Sequence, residues 1–268
     1  MAYEILVLDI DGTLTTSEKV ISNETKEAIM AIQDRGHKVV LASGRPTPGI
    51  RPLADELKLQ EYGGYILSFN GAKIINCATE AIIYQNTIPK DMIPKIYQAA
   101  LEFNVGLISY EGNDVIVGTD VDEYIIKEAA INRISYRQVE NFPEYITFDI
   151  NKCLMTGEPS YLAKVEEQLK KRFGDVLNIY RSEPFFLELM PHHVDKAFSL
   201  GKLLDHLGLS REQMISCGDG FNDLTMIQYA GMGVAMANAQ QVVKEAADYI
   251  TLSNDEDGVA HVIKEFML

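Results

Sequence analysis

The sequence predicts an α/β protein: a doubly wound, Rossmann-like parallel sheet carrying an inserted α+β domain. Three observations predict it. Continuous apolar runs such as "EILVLD" and "KVVLAS" alternate with helical patterns near both ends of the sequence, as strands buried on both faces do. Four such runs end in small polar residues, Asp9, Ser43, Asn70 and Asp219. Between them, the stretch from about residue 83 to 189 mixes hairpin and helix patterns, which suits an α+β insert better than more parallel sheet.

The elements follow in order. "EILVLD" is the first strand. Ser22 can cap a helix whose Ala28, Ile29 and Ile32 share one face, with Gly36 as its stop. "KVVLAS" is the second strand, giving a βαβ unit with a parallel sheet, and "GYILSFN" is the third. In the insert, "MIPKIYQAALEF" is helical, "GLISY" and "DVIVGT" form a hairpin around "EGN", and "VDEYIIKEAAI" is helical. "NKCLMTG" is a strand, "SYLAKVEEQLKKRF" a helix, and "VLNIY" and "FFLELM" are strands. The sheet resumes after a helix from about Lys196 to Leu207, with the strand "MISC", a helix from about Asn222, and the strands "GVAMA" and "DYITL". The predicted core is 1–82 with 190–268, and the insert is 83–189.

Bulk properties exclude several classes. The 268 residues carry a formal charge of −15, so a nucleic-acid binder, which needs basic excess, is not expected. Anionic membrane surfaces are disfavoured for the same reason. Residues 224–243 lack charge but hold Gln228, Asn238, Gln240 and Gln241; they read as a helix, a turn and a strand rather than a membrane span. No secretory leader pattern is read at the N-terminus. Cys77, Cys153 and Cys217 are widely spaced with no CxxC, which fits a reducing cytoplasm. No protein partner is evident.

In open parallel sheets, ligands bind outside the carboxyl ends of the strands. The strand ends noted above therefore deliver Asp9, Ser43, Asn70 and Asp219 to one edge. Strand alternation puts Asp9 and Asp11 on one side. Carboxylates gathered there repel unless a cation sits among them, and all-oxygen donors suit a hard ion such as Mg²⁺. Gly12 lets backbone amides approach an anion, and Lys196 can neutralise one. Each residue also has a plain reading: Asp as turn former, Ser43 and Asn70 as turn and cap residues, Lys196 as a surface lysine, Asn222 as a helix N-cap. The convergence favours a site. His192 and His193 read as linker residues, Cys217 as a buried strand residue, and "SNDEDG" as a solvated turn.

The motifs "DIDGT" (9–13), "SGR" (43–45), "NG" (70–71), "DK" (195–196) and "GDGFND" (218–223) resemble the haloacid dehalogenase superfamily, in particular its Cof-type phosphatases with a large cap domain. The resemblance implies a nucleophile at Asp9 and a general acid, then base, at Asp11. It implies Mg²⁺ held by Asp9, the backbone carbonyl of Asp11, and Asp219, with Asn222 and Asp223 supporting. It implies phosphoryl contacts from Ser43, Gly44 and Lys196, with Asn70, Gly71 and Asn222 adding contacts, and leaves Arg45 to the substrate or the cap edge. Between Asp11 and Ser43 lie 31 residues, and between Ser43 and Lys196 lie 152. The cap therefore comes after the second motif. Ala197 and Ala237 stand where the family often has glycine, a small-for-small difference.

The expected function is Mg²⁺-dependent hydrolysis of a small phosphorylated metabolite, a sugar phosphate by resemblance, through an aspartyl-phosphate. Two rivals differ in kind. A phosphosugar mutase would need a bisphosphate activator and release no stoichiometric phosphate. A non-catalytic phosphometabolite sensor would have no use for Asp11.

Overall fold

The computed structural model describes residues 3–268. The chain divides into two compact units, one of Met1–Gln85 with Asp195–Leu268 and one of Asn86–Val194. Along the chain the strands are β1 (Ile5–Leu8), β2 (Lys38–Ala42), β3 (Tyr65–Ser68), β4 (Lys73–Asn76) and β5 (Ile82–Gln85), all in the first unit. The second unit holds β6 (Gly106–Glu111), β7 (Asp114–Val117), β8 (Ser135–Gln138), β9 (Cys153–Thr156), β10 (Leu177–Glu183) and β11 (Phe186–Pro191). The first unit then resumes with β12 (Met214–Gly218), β13 (Met232–Ala235) and β14 (Tyr249–Ile250).

The first unit is an eight-stranded sheet in the order β14-β13-β12-β1-β2-β3-β4-β5. All neighbours from β14 to β3 are parallel. Alternation sorts β1 cleanly between two cores. Leu6 and Leu8 join Ile29, Ile32, Val259 and Val262 on one side. Ile5 and Val7 join Val40, Leu200, Leu203 and Leu204 on the other. Helices thus cover both faces, which is why β1 reads as an unbroken apolar run. Each fully buried aliphatic side chain contributes about 1.5–3 kcal/mol. The helix Asn23–Asp34 begins where Ser22 Oγ accepts from the Thr25 amide at 3.1 Å. It ends at Arg35 and Gly36, the latter at φ +94°.

Beyond β3 the sheet turns antiparallel through β4 and β5. The sequence reading places no strand there, because both are four residues long and follow a tight turn with no long apolar run. Because β5 runs to Gln85, the division between units falls after Gln85. Helices Thr47–Glu56 and Gly258–Phe266 are likewise additions to the elements read from the sequence.

The second unit is a six-stranded sheet in the order β10-β11-β9-β6-β7-β8. It is antiparallel except for the β7–β8 pair. Helices Ile93–Phe103 and Pro159–Phe173 supply Ile96, Ala100, Leu162, Val165 and Leu169 to a core with Leu107, Cys153, Met155, Leu187 and Leu189 from the sheet. Outside that core, Glu188 is buried and accepts from Lys152 Nζ at 3.2 Å and Tyr180 Oη at 3.0 Å. The two ends of this unit are tied together: Asn86 Nδ2 donates to the His192 carbonyl at 2.8 Å, and Asn151 Nδ2 to the Asn86 carbonyl at 2.7 Å. Among the described residues, no helix is long and apolar enough to cross a membrane.

Candidate active site

Sheet register assembles the site. Leu8 of β1 lies opposite Leu41 of β2 and Cys217 of β12. The chain positions just beyond these three are Asp9, Ala42 with Ser43, and Gly218 with Asp219. They must therefore emerge side by side. The Asp9 amide seals the arrangement by donating to the Cys217 carbonyl at 3.0 Å.

At the centre sits Lys196, the first residue of the helix Lys196–Leu207 and only 1% exposed. Its Nζ donates to Asp9 Oδ1 at 2.6 Å, to Asp223 Oδ1 at 2.6 Å and to the Ala42 carbonyl at 2.8 Å. All three ammonium protons are used. Burial pulls the ammonium down, but Asp223 and Asp9 outweigh it and raise Lys196 above the usual lysine value. For Asp9, burial pushes the carboxyl well up and Asp223 adds repulsion, while Lys196 opposes both. One cation thus faces two buried carboxylates, and the site holds an unbalanced negative charge.

Asp219 brings a third carboxylate. Its Oδ1 accepts from Thr13 Oγ1 at 2.8 Å. Burial, followed by the Asp223 charge, pushes this carboxyl up to about 6 despite that hydrogen bond. Asp9, Asp219 and Asp223 each place an oxygen within 4.8 Å of the others. Asp223 Oδ2 already accepts from the amides of Asp219 and Gly220, at 3.0 and 2.9 Å, and its Oδ1 is held by Lys196. Both of its oxygens are occupied, so it fits a supporting place. Asp9 and Asp219 keep an oxygen open, an all-oxygen donor set that fits a hard divalent cation such as Mg²⁺. The space is guarded by Gly12: at φ +87°, a Cβ there would lie 2.4 Å from Asp219 Oδ2.

Asp11 sits apart from this triad, half-exposed and gripped by two cations. Arg45 forks onto it, Nε to Oδ2 at 2.8 Å and Nη2 to Oδ1 at 2.7 Å. Lys19 Nζ donates to Oδ1 at 2.9 Å. Burial alone would raise the carboxyl, but Arg45 and then Lys19 hold it below the usual range.

The remaining sequence candidates cluster in one turn. Phe69, Asn70 and Gly71 take successive φ values of +53°, +54° and +104°. Left-handed non-glycine residues cost about 1–3 kcal/mol each and persist where the surroundings over-determine them. Here the Asn70 amide donates to the Ser43 carbonyl at 2.9 Å and the Phe69 amide to the Arg45 carbonyl at 3.0 Å. Ser199 Oγ reaches the Gly71 carbonyl at 2.6 Å. The turn is thereby stitched to the Ser43–Gly44–Arg45 segment and to the Lys196 helix. Asn70 Oδ1 accepts from Asn222 Nδ2 at 3.1 Å. Ser43 is buried, its Oγ accepting from the Arg45 amide at 3.2 Å. Asn222 lies inside the short turn Phe221–Asp223 rather than at a helix N-cap.

The haloacid dehalogenase-like hydrolase family matches residues 6–263. The chain belongs to this family. A crystal structure of a haloacid dehalogenase-like hydrolase from Bacteroides thetaiotaomicron is 48% identical, with a TM-score of 0.95, covering 98% of this chain and 99% of that one. The Bacillus subtilis 5-amino-6-(5-phospho-D-ribitylamino)uracil phosphatase YcsE is 32% identical over 99% of this chain and 96% of its own length. A structure of a subclass IIB sugar phosphatase is 28% identical with a TM-score of 0.80, each chain covered to 98%. The protein is an enzyme of the phosphatase branch of the haloacid dehalogenase-like hydrolases.

Within that family frame, two features escaped the sequence reading. Lys19 lies in a polar loop with no motif around it. The Arg45 fork depends on how two strand-end loops face each other, which spacing does not reveal. The acidic "SNDEDG" segment is not simply solvated: Asp255 accepts from the Ser17 amide and hydroxyl at 2.7 and 2.6 Å, and Asp257 accepts from Ser22. Cys217 is a fully buried strand residue whose thiol burial pushes up to about 12.

Proposed function

We propose that this haloacid dehalogenase-like enzyme is a Mg²⁺-dependent phosphatase that hydrolyses small phosphomonoesters, sugar phosphates in particular, through an aspartyl-phosphate on Asp9. The observation that carries this reading is the Lys196 ammonium, 2.6 Å from both Asp9 and Asp223, with Asp219 alongside. A buried lysine orients Asp9 Oδ1, which it would share with the cation, and leaves Oδ2 as the oxygen that attacks.

In the first step Asp9 forms a bond to phosphorus as the ester P–O bond breaks, and Asp11, which must first exchange its Arg45 and Lys19 contacts for a proton, gives that proton to the leaving alkoxide. In the second step water attacks phosphorus, its proton passes to Asp11, and the Asp9–phosphorus bond breaks to release phosphate. A covalent carboxylate nucleophile divides one hard displacement into two easier ones. Mg²⁺ held by Asp9, Asp219 and the Asp11 backbone carbonyl would screen the charges of Asp9 and the phosphoryl group. Lys196 supplies fixed positive charge to the same oxygens, and Ser43, Gly44, Asn70, Gly71 and Asn222 line the phosphoryl position. The insert, about residues 83–189, would serve as the cap that excludes water during the first step and selects the substrate.

Sugar phosphates are favoured because the similar subclass IIB enzyme is a sugar phosphatase, and YcsE acts on a phosphorylated ribityl chain. Three free, buried cysteines support a reducing cytoplasmic setting. The test is phosphate release from p-nitrophenyl phosphate and a panel of sugar, nucleotide and cofactor phosphates. Release abolished by EDTA and by Asp9→Asn is expected. No release from the wild-type enzyme across the panel would sink the reading.

A further inference from the structure

We propose that Asn238 is a positioning residue for the cation site: it ties the loop after β1 to the loop after β13, and so fixes the spacing between Asp219 and the nucleophile strand. This inference rests on the Mg²⁺ part of the phosphatase reading, and its test reads the metal without a substrate.

Asp9, Asp219 and Asp223 bring oxygens within 4.8 Å of one another. Like charges that close push their loops apart. A small hard cation such as Mg²⁺ tolerates little departure from octahedral oxygens at short distances. Its affinity therefore depends on how firmly the loops are held before it arrives.

Three loops meet here, after β1, β12 and β13, and each pair is bonded. From the β1 loop, Thr13 Oγ1 donates to Asp219 Oδ1 at 2.8 Å. From the β13 loop, the Met236 amide donates to the Gly218 carbonyl at 3.1 Å and the Gln240 amide to the Asp219 carbonyl at 2.9 Å. The third side needs a longer reach. β12 lies between β13 and β1, so those two strands are about 10 Å apart. Asn238 spans the gap. Its Nδ2 donates to the Gly12 carbonyl at 2.8 Å, and its Oδ1 accepts from the Asn254 amide at 3.1 Å. A carbonyl on one side and an N–H on the other leave the side-chain amide a single orientation.

Asn238 thus closes a ring of bonds around Asp219. It grips the β1 loop at Gly12, the residue at φ +87° whose missing Cβ leaves room for Asp219 Oδ2. Without this tie, the β1 loop is held on the β12 side and free on the other. Asn238 is itself exposed, so its burial adds little to the fold. What it contributes is the tie.

The test follows melting temperature across a Mg²⁺ titration of EDTA-treated wild type, Asn238→Ala, Asn238→Asp and Asn254→Ala. Asn238→Asp is the sharper variant. It keeps an oxygen to accept from Asn254 but turns a second oxygen towards the Gly12 carbonyl, so the tie alone is lost. Its added negative charge would by itself strengthen cation binding. Both Asn238 variants are expected to raise the Mg²⁺ concentration for half-maximal stabilisation about tenfold, as loss of a group supporting metal ligands does. Their melting temperatures in EDTA are expected to stay within about 4 °C of wild type, the scale of one or two exposed hydrogen bonds. Asn254→Ala loses its Nδ2 bond to the Thr15 carbonyl but keeps the Asn238 contacts, and is expected to respond to Mg²⁺ like wild type. A response of Asn238→Asp equal to wild type or stronger would overturn the inference and leave the phosphatase reading intact. So would an equal loss in Asn254→Ala, which would trace the effect to general loop stability. Should Asn238→Ala fail to fold, Asn238→Asp decides. A wild type whose melting temperature ignores Mg²⁺ would remove the metal from the reading, and this inference with it.

Discussion

Asp219 shows how a single residue can be made costly on purpose. Its carboxyl is pushed up to about 6 from an ordinary 3.8, chiefly by burial. A raised carboxyl stabilises the fold only while protonated: the contribution is full below the unfolded value and is lost as pH rises through about 6. In EDTA, Asp219→Asn should therefore stabilise the fold at pH 7.5 by roughly 1–2 kcal/mol once solvent screening is allowed for, read as a raised melting temperature, with the gain fading towards pH 4. Added Mg²⁺ should stabilise wild type in a concentration-dependent way and leave this variant nearly unmoved. Lys196→Met strands two buried carboxylates, and is expected to cost about 3–5 kcal/mol in chemical denaturation besides activity. Gly12→Ala, whose Cβ would meet Asp219 Oδ2 at 2.4 Å, should weaken the Mg²⁺ stabilisation more than the fold itself. Asp9, Asp219 and Lys196 were legible because each stands at a strand or helix terminus that apolar patterning marks. Lys19 and the Arg45 fork were not, since they depend on loop direction, and Asn222, expected to support the metal and phosphoryl positions, is found bonded to Asn70 and not in its alternative place as a helix cap.

At the scale of elements, strands buried on both faces announce themselves, and β1, β2, β3, β12 and β13 were all readable from composition alone. Those that escaped are short or polar. β8 is "SYRQ", exposed along its whole length, and is held by parallel pairing to β7. β4 and β5 are four residues each, and the turn before β4 holds Phe69, a bulky residue, in a left-handed conformation that local propensity does not favour. The insert's β6–β7 hairpin was visible because two apolar runs flank the short "EGN" turn, and β10 and β11 were visible as apolar strands. Its buried Lys152–Glu188 pair was not, because a charge within an apolar run looks like a solvated residue until a facing strand supplies the partner. Lys152→Met alone should cost about 3–5 kcal/mol by denaturant unfolding, while Lys152→Met with Glu188→Leu should come back close to wild type.

The whole molecule was legible in outline: the order of motifs placed the long insertion after the second, and strand patterning placed the sheet. Each unit has its own hydrophobic core, and the insert's ends are tied by Asn86 to His192. Residues 86–194 expressed alone are expected to fold cooperatively, with a circular dichroism spectrum of mixed helix and strand. A non-cooperative, coil-like spectrum would refute that. In the remaining unit, Tyr84 and Phe198 rings stand 6.0 Å apart, so a short glycine-rich bridge from Gln85 to Asp195 should preserve its fold.

The sheet order also sets a timetable. β1 has β12 as its neighbour on one side, yet residues 9–213 are made between them. At about 5–20 residues per second, β1 waits roughly 10–40 s on the ribosome for that partner. During that wait, an apolar strand meant for the centre of the sheet presents a bare edge, open to any other chain. The candidate site cannot assemble before Asp219 and Asp223 are made, so the chain's most exposed moment comes before it has any chemistry.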